Sequence, residues 1–212
     1  TVTRVIFIPQ GEFVAYGALT LAMLQSGKTP GTVWLLMILA GVASLMELVE
    51  RWRHHGNAAR ALTSALKTLA FPALICVLSV WAAPQQFPLG VQAALSVAIV
   101  TAFGPLVYRV AYQSLEAATP LVLLIVSVGV HFAMTGLGLL FFGAEGFRNP
   151  PFWDARFSLG PLALSGQTVI IFVVSLALIV LMWLYFERSL RGKALRATAV
   201  NRTGARLMGI SS

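Results

Sequence analysis

The longest uncharged stretch of the chain sets the first constraint on its fold. From Thr68 to Tyr108 no Asp, Glu, Lys, Arg or His occurs, and Pro84, Pro88 and Gly90 interrupt the stretch near its middle. A helix needs about 20 apolar residues to cross the roughly 30 Å of hydrocarbon in a bilayer. The stretch is too long for one crossing, so it predicts two transmembrane helices joined by a short turn.

Composition extends this interpretation to the whole chain. Of its 212 residues, 58% are hydrophobic and only 10% are charged, whereas soluble domains carry about 25% charged residues. We therefore expect an all-α, polytopic transmembrane helix bundle. Its predicted spans, about six in number, lie at residues 5–25, 33–49, 68–83, 91–108, 120–142 and 161–186. Because the chain begins without Met and inside an apolar segment, we expect a fragment truncated at both ends.

The basic residues are distributed unevenly between the predicted loops. If the spans alternate, Arg and Lys collect on the side of residues 51–67, 109–118 and the C-terminal tail, while 26–32, 84–90 and 143–160 hold few of them. Cytoplasmic loops carry such an excess. The net charge of +8 is explained by this orientation more simply than by nucleic-acid binding. The single cysteine, Cys76, excludes a disulfide framework.

The C-terminal tail combines these charges with small residues. Arg196-Ala197-Thr198-Ala199-Val200-Asn201 is followed by Ala205-Arg206-Leu207-Met208-Gly209-Ile210. The charges alone favour a basic anchor that binds anionic lipid. Together with the small residues, however, the string resembles the cytoplasmic coupling segment of the branched-chain amino acid ABC transporter permeases. The resemblance divides the chain into a permease bundle, residues 1–186, and a coupling segment, residues 187–212.

The resemblance implies that this segment docks in a cleft of an ATP-binding subunit. Gly192 and Gly204 argue against one continuous helix, so we expect two short helices with Asn201 as N-cap of the second. The expected ATPase-coupling residues are Arg196, Ala197, Ala199, Asn201, Ala205, Arg206 and Gly209.

A second motif lies in the first span. Gln10-Gly11-Glu12-Phe13 resembles the His-Gly-Glu stretch near the family's translocation path, with Gln10 in the place of the usual His. A carboxylate at membrane depth is costly and is a functional candidate by default. The structural alternative is that Glu12 caps a helix at the membrane interface.

A third motif, Tyr108-Arg109 followed by the helix from Pro120, also resembles the family. On that helix Ser127, His131 and Thr135 are spaced by four and share one stripe. The stripe is a candidate part of the permeation path together with Gln10, Gly11 and Glu12. Interhelical hydrogen bonding explains it more simply, and no metal-ligand partner of His131 is evident. These resemblances cover about 4–22 and 108–210, and the middle, 51–107, looks longer than the family pattern.

No phosphate-binding loop or catalytic motif occurs in the sequence, so we expect no enzyme, no metal and no cofactor in this chain. The resemblance implies the permease subunit of an ATP-driven importer of branched-chain amino acids or a related small polar solute, such as urea or an amide. Its implied partners are two ATP-binding subunits that hold the ATP, a second permease protomer, a periplasmic solute-binding protein and the lipid of a bacterial inner membrane. The alternative is a secondary transporter or channel without an ATPase.

Overall fold

The structure, a computed structural model, describes residues 7–55, 58–85, 87–115, 118–159 and 162–210. The predicted helical fold is confirmed within these residues. Their α-helices are α1 (Gln10–Gln25), α2 (Gly31–His55), α3 (Ala58–Ala82), α4 (Leu89–Val107), α5 (Pro120–Phe142), α6 (Gly166–Arg188), α7 (Leu190–Val200) and α8 (Arg202–Leu207).

Proline places the break in the long uncharged stretch. α3 ends at Ala82, a 3₁₀ turn covers Ala83–Gln85, and α4 begins at Leu89 directly after Pro88. Proline has no amide hydrogen and suits the position just before or at the start of a helix, although Pro72 and Pro105 also lie inside α3 and α4. The predicted division into two spans is therefore confirmed.

Five of the described helices are long and apolar enough to cross a membrane, and they correspond to five of the predicted spans. The first predicted span, 5–25, differs. Its helix α1 has only 16 residues because it begins at Gln10, after Pro9. Residues 5 and 6 of that span lie outside the described residues.

Two boundaries were predicted incorrectly. The basic segment 51–67 was expected to be a loop, but α2 and α3 extend into it from both sides, as its Ala, Leu, Arg and Lys residues favour helix. The last span was expected to start at residue 161. Instead a hairpin of β1 (Arg156–Leu159) and β2 (Leu162–Ser165) precedes α6, with Arg156 paired to Ser165.

The described chain divides into two compact units, which fall within Ile6–Asn149 and Pro150–Ser212. The first unit contains α1 to α5, and all five of these helices contribute buried side chains to its core. At its centre the Tyr16 ring stacks on Phe103 with centroids 5.9 Å apart, and the Tyr16 hydroxyl donates to the Met134 carbonyl at 2.6 Å. This bond fixes the height of α1 against α5.

The second unit contains the hairpin and α6 to α8. Ser165 caps α6, because its Oγ accepts from the Thr168 amide at 3.2 Å. None of the α6 window that could span a membrane is buried within the chain. The division of the chain at residue 187 by function stays a prediction.

Candidate functional site

The first unit brings three of the predicted path residues together. Glu12 in the first turn of α1 lies beside α5, where its Oε1 is 2.6 Å from His131 Nδ1 and 3.5 Å from Thr135 Oγ1. The Glu12 side chain is 15% exposed and that of His131 is 36% exposed. We call these three residues the polar cluster. His131 thus has an acidic partner, which the sequence did not reveal.

The polar cluster lies at the middle of α5. His131 stands eleven residues from Pro120 and eleven from Phe142, which corresponds to about 16 Å of helix in each direction. Helix α1 therefore starts beside the midpoint of a membrane-spanning helix rather than at its end. The depth of Glu12 in a bilayer stays a prediction.

The remaining predicted path residues lie apart from the cluster contacts. Ser127 is fully buried, and its Oγ is 2.9 Å from the Tyr112 hydroxyl. This is the interhelical hydrogen bond that the structural alternative predicted. Gln10 and Gly11 are exposed, and a Cβ added at Gly11 would meet no atom within 4 Å.

Tyr112 belongs to a π-helical turn, Tyr108–Tyr112, that continues α4. This turn also positions Arg109, whose Nη1 donates to Glu47 Oε2 at 3.0 Å and to Thr68 Oγ1 at 2.8 Å. The C-terminal half of α2, the start of the uncharged part of α3 and the π turn therefore meet at one side of this unit. The alternation of the spans predicts that residues 51–67 and 109–118 lie at the same side of the bundle. The contacts of Arg109 with Glu47 and Thr68 agree with that arrangement.

An interhelical bend shapes the tail in the second unit. Ser189 lies between α6 and α7, and its Oγ accepts from the Gly192 amide at 2.9 Å. Gly192 is packed against the end of α6. A Cβ there would collide with the Tyr185 carbonyl oxygen and would lie 2.7 Å from Phe186 Cα. Only glycine fits at this approach, a role that the sequence analysis, which treated Gly192 as a helix breaker, missed.

Asn201 separates α7 from α8. Its Oδ1 accepts from the Gly204 amide at 2.9 Å, which is the N-cap geometry. The predicted division into two short helices with Asn201 as cap is therefore present. Beyond α8, Gly209 has a φ of 80°, and the Ile210 amide donates back to the Ala205 carbonyl at 3.0 Å, as in a glycine-terminated helix.

The other predicted coupling residues are distributed over α7 and α8. Arg196 Nη1 lies 2.9 Å from Glu187 Oε2, with both side chains about half exposed. Ala197 and Ala199 are exposed and Ala205 is buried, and Arg206 belongs to α8. The sequence analysis overlooked large apolar side chains that are more than four-fifths exposed: Leu190, Val200, Leu207 and Met208. Their exposure depends on tertiary structure, and no sequence periodicity signals it.

The described residues contain no group of three His, Cys, Asp or Glu that could hold a metal ion. The five membrane-length helices define a multi-pass membrane protein.

A comparison with protein families identifies the class more closely. Residues 56–212 match the model of the permease component of branched-chain amino acid transport systems. The chain belongs to this family. The match includes most of the middle part of the chain, residues 56–107, which the motif resemblances did not cover. It begins after the Gln10-Gly11-Glu12 motif.

One curated relative is the high-affinity branched-chain amino acid transport system permease protein BraD of Pseudomonas aeruginosa. It is 28% identical over 124 residues, which make up 56% of this chain and 40% of BraD. The chain thus spans less than half the length of this relative. No solved structure shows significant similarity to the chain.

Proposed function

We propose that this chain is part of the transmembrane permease subunit of an ATP-driven ABC importer, located in a bacterial inner membrane. The solute is a branched-chain amino acid or a related small polar compound. Two ATP-binding subunits, a second permease protomer and a periplasmic solute-binding protein complete the importer. This chain binds no ATP and catalyses no reaction.

The C-terminal tail, in which α7 and α8 are joined at Asn201, carries the proposal. It lies within the family match, directly after a membrane-length helix, and it consists of two short helices joined at Asn201. A basic anchor on lipid has no requirement for an N-capped break or a glycine with positive φ. A short helix that enters a groove of a partner does require small residues and apolar side chains free to be buried. Ala197, Ala199, Leu207 and Met208 meet that requirement, since all are exposed.

The test is a pull-down from detergent of the full-length protein with the ATP-binding subunits encoded beside its gene. We compare the wild type with a variant that lacks residues 201–210, and Asn201→Ala with Asn201→Asp. Loss of the cap destabilises α8 by about 1 kcal/mol, whereas Asp retains a capping oxygen. We therefore expect weaker binding by the Ala variant only.

The expected result is binding by the wild type and loss in the deletion. Thermal unfolding of the detergent-solubilised proteins controls for folding of the bundle. If the wild type is folded and captures no ATP-binding subunit, the coupling proposal fails, and a secondary transporter or channel takes its place.

A further inference from the structure

Three basic side chains lie close together in the chain where the last membrane-length helix ends. Arg188 is the final residue of α6, and Arg191 and Lys193 lie in the first turns of α7. All three are exposed, and none forms an ion pair with a residue that the structure describes. The nearby carboxylate of Glu187 is already paired with Arg196. We call Arg188, Arg191 and Lys193 the basic junction, and its positive charge is available to an external anion.

Aromatic side chains mark both ends of the membrane crossing of α6. At its start Trp153 packs on Gly166, where an added Cβ would lie 2.8 Å from the indole Cδ2. Near its end Trp183 and Tyr185 are exposed. Trp and Tyr concentrate at the two membrane–water interfaces. The helix between Gly166 and these two rings is about 26–29 Å long, close to the roughly 30 Å of hydrocarbon in a bilayer. This length places the basic junction at the depth of the lipid headgroups.

An apolar side chain lies among the charges of the basic junction. Leu190 is 85% exposed, and it stands in the chain between Arg188 and Arg191. None of the α6 window that could span a membrane is buried within the chain, so acyl chains can approach the end of this helix. Basic side chains keep their charged groups in water while their methylene stems cover apolar surface. Leu190 and the two arginines can therefore contact the acyl and headgroup parts of the same lipid.

The charge of the basic junction selects the kind of lipid. A phosphatidylcholine headgroup is zwitterionic, whereas a phosphatidylglycerol headgroup has a net negative charge on its phosphate. Arg binds phosphate through its planar guanidinium, and Lys binds it as a point charge. Each Lys or Arg near a membrane surface increases the affinity for anionic lipid about fivefold. The expected ATPase-coupling residues begin only at Arg196, so the basic junction lies between them and the membrane-length helix.

We propose that the basic junction binds the phosphate of an anionic phospholipid, in the leaflet where α6 ends, while Leu190 contacts the acyl chains of that lipid. The bound headgroup neutralises the basic junction and holds the start of α7 at the membrane surface. This inference goes beyond the proposed function, because lipid binding requires neither ATP nor a transported solute.

The test measures lipid binding by the full-length protein purified in detergent. Fluorescently labelled phosphatidylglycerol and phosphatidylcholine with identical acyl chains are titrated against the wild type and against a triple variant, Arg188→Gln/Arg191→Gln/Lys193→Gln. We expect the wild type to bind phosphatidylglycerol at least tenfold more tightly than phosphatidylcholine, and the triple variant to bind both equally. A wild type without preference, or a folded triple variant that retains the preference, would overturn the inference.

A matched control removes the same charge from exposed positions that are predicted to lie at the other side of the membrane: Lys28→Gln/Arg148→Gln/Arg156→Gln. This control should keep the preference for phosphatidylglycerol. Loss of the preference in both triple variants would show that net charge, and not the basic junction, selects the lipid. Soluble glycerol 3-phosphate is added in a further titration and should not displace the lipid. Displacement at millimolar concentration would identify a site for free phosphate instead.

Capture of the ATP-binding subunits is measured with the same variants. The triple variant of the basic junction should still capture them, since none of its three positions is an expected coupling residue. A triple variant that loses capture but retains the lipid preference would assign the basic junction to the interface with those subunits. Absence of capture by a wild type that prefers phosphatidylglycerol counts against the proposed function and leaves the lipid site standing.

If the triple variant fails to fold, the single variants Arg191→Gln and Lys193→Gln replace it. Each removes one charge, so each should reduce the preference for phosphatidylglycerol about fivefold. An unchanged preference in both folded single variants would contradict the proposed site.

Discussion

Arg109 and Glu47 form an ion pair between two parts of the chain that are distant in sequence. The Nη1–Oε2 distance is 3.0 Å, and the Glu47 side chain is only 12% exposed, compared with 40% for Arg109. The same guanidinium donates to Thr68. One arginine in the π turn thereby connects α2 and α3 at one side of the first unit.

We expect Arg109→Met to lower the free energy of unfolding by about 1.5–3 kcal/mol, the range for hydrogen bonds to charged groups. The substitution removes a cationic partner from a mostly buried carboxylate. Thermal unfolding in detergent measures the effect. Arg148→Met is the control, because Arg148 is exposed, and its midpoint should stay within experimental error of the wild type.

A double-mutant cycle distinguishes the interaction energy between Arg109 and Glu47 from the unrelated effects of each single substitution. Glu47→Gln combined with Arg109→Met should cost less than the sum of the two single changes, since the second change removes an interaction already lost. Strict additivity would show that the two side chains do not stabilise each other.

The Tyr112–Ser127 hydrogen bond gives a second prediction. Tyr112→Phe keeps the ring, which is 2% exposed, and removes the hydroxyl that contacts Ser127. We expect a loss of about 0.6 kcal/mol, the average for interhelical hydrogen bonds in membranes. Tyr108→Phe, at a more exposed position of the same turn, should have no measurable effect on the unfolding midpoint. Equal effects of the two changes would contradict the assigned role of the bond.

Gly192→Ala tests the bend between α6 and α7. The added methyl would collide with the Tyr185 carbonyl and Phe186, so the two helices must change their angle. We expect transport to decrease at least tenfold while the protein still inserts and remains monodisperse. Gly41→Ala is the matched control, because that helical glycine has open space around it. Wild-type transport by Gly192→Ala would show that the bend angle does not matter.

Gly209→Trp should uncouple ATP hydrolysis from transport without unfolding the bundle. Gly209 has a φ of 80°, where other residues pay about 1–2 kcal/mol, and Trp adds bulk at the end of α8. Gly209→Ala has the same backbone strain but only a small side chain. Comparison of the two variants therefore separates the effect of strain from the effect of side-chain size. Both activities are measured in proteoliposomes. Transport by Gly209→Trp equal to that of the wild type would refute the prediction.

The tail was predictable because its structure is local. Asn201 caps a helix that begins one residue later, and an N-cap needs only the few amides that follow it. The break between α3 and α4 was predictable for the same reason, since proline restricts its own backbone and that of its neighbour.

The polar cluster could be predicted only in part. The spacing of His131 and Thr135 on one helix face is visible in the sequence, but the approach of Glu12 depends on how α1 packs against α5. That packing is fixed by Tyr16, whose hydroxyl bond to Met134 links positions far apart in the chain. The hairpin before α6 was missed because each strand has only four residues, too few for a clear alternating pattern.

The corner at Ser189 has a mechanical consequence. α6 has 23 residues and α7 has 11, so the corner joins arms of about 35 Å and about 16 Å. The backbone of Gly192 packs against the backbone at the end of α6, the longer arm. No side chain fits between the two helices at this junction. If the corner holds its angle, the two arms turn as one lever. A rotation of the short arm about Ser189 then turns the long arm through the same angle.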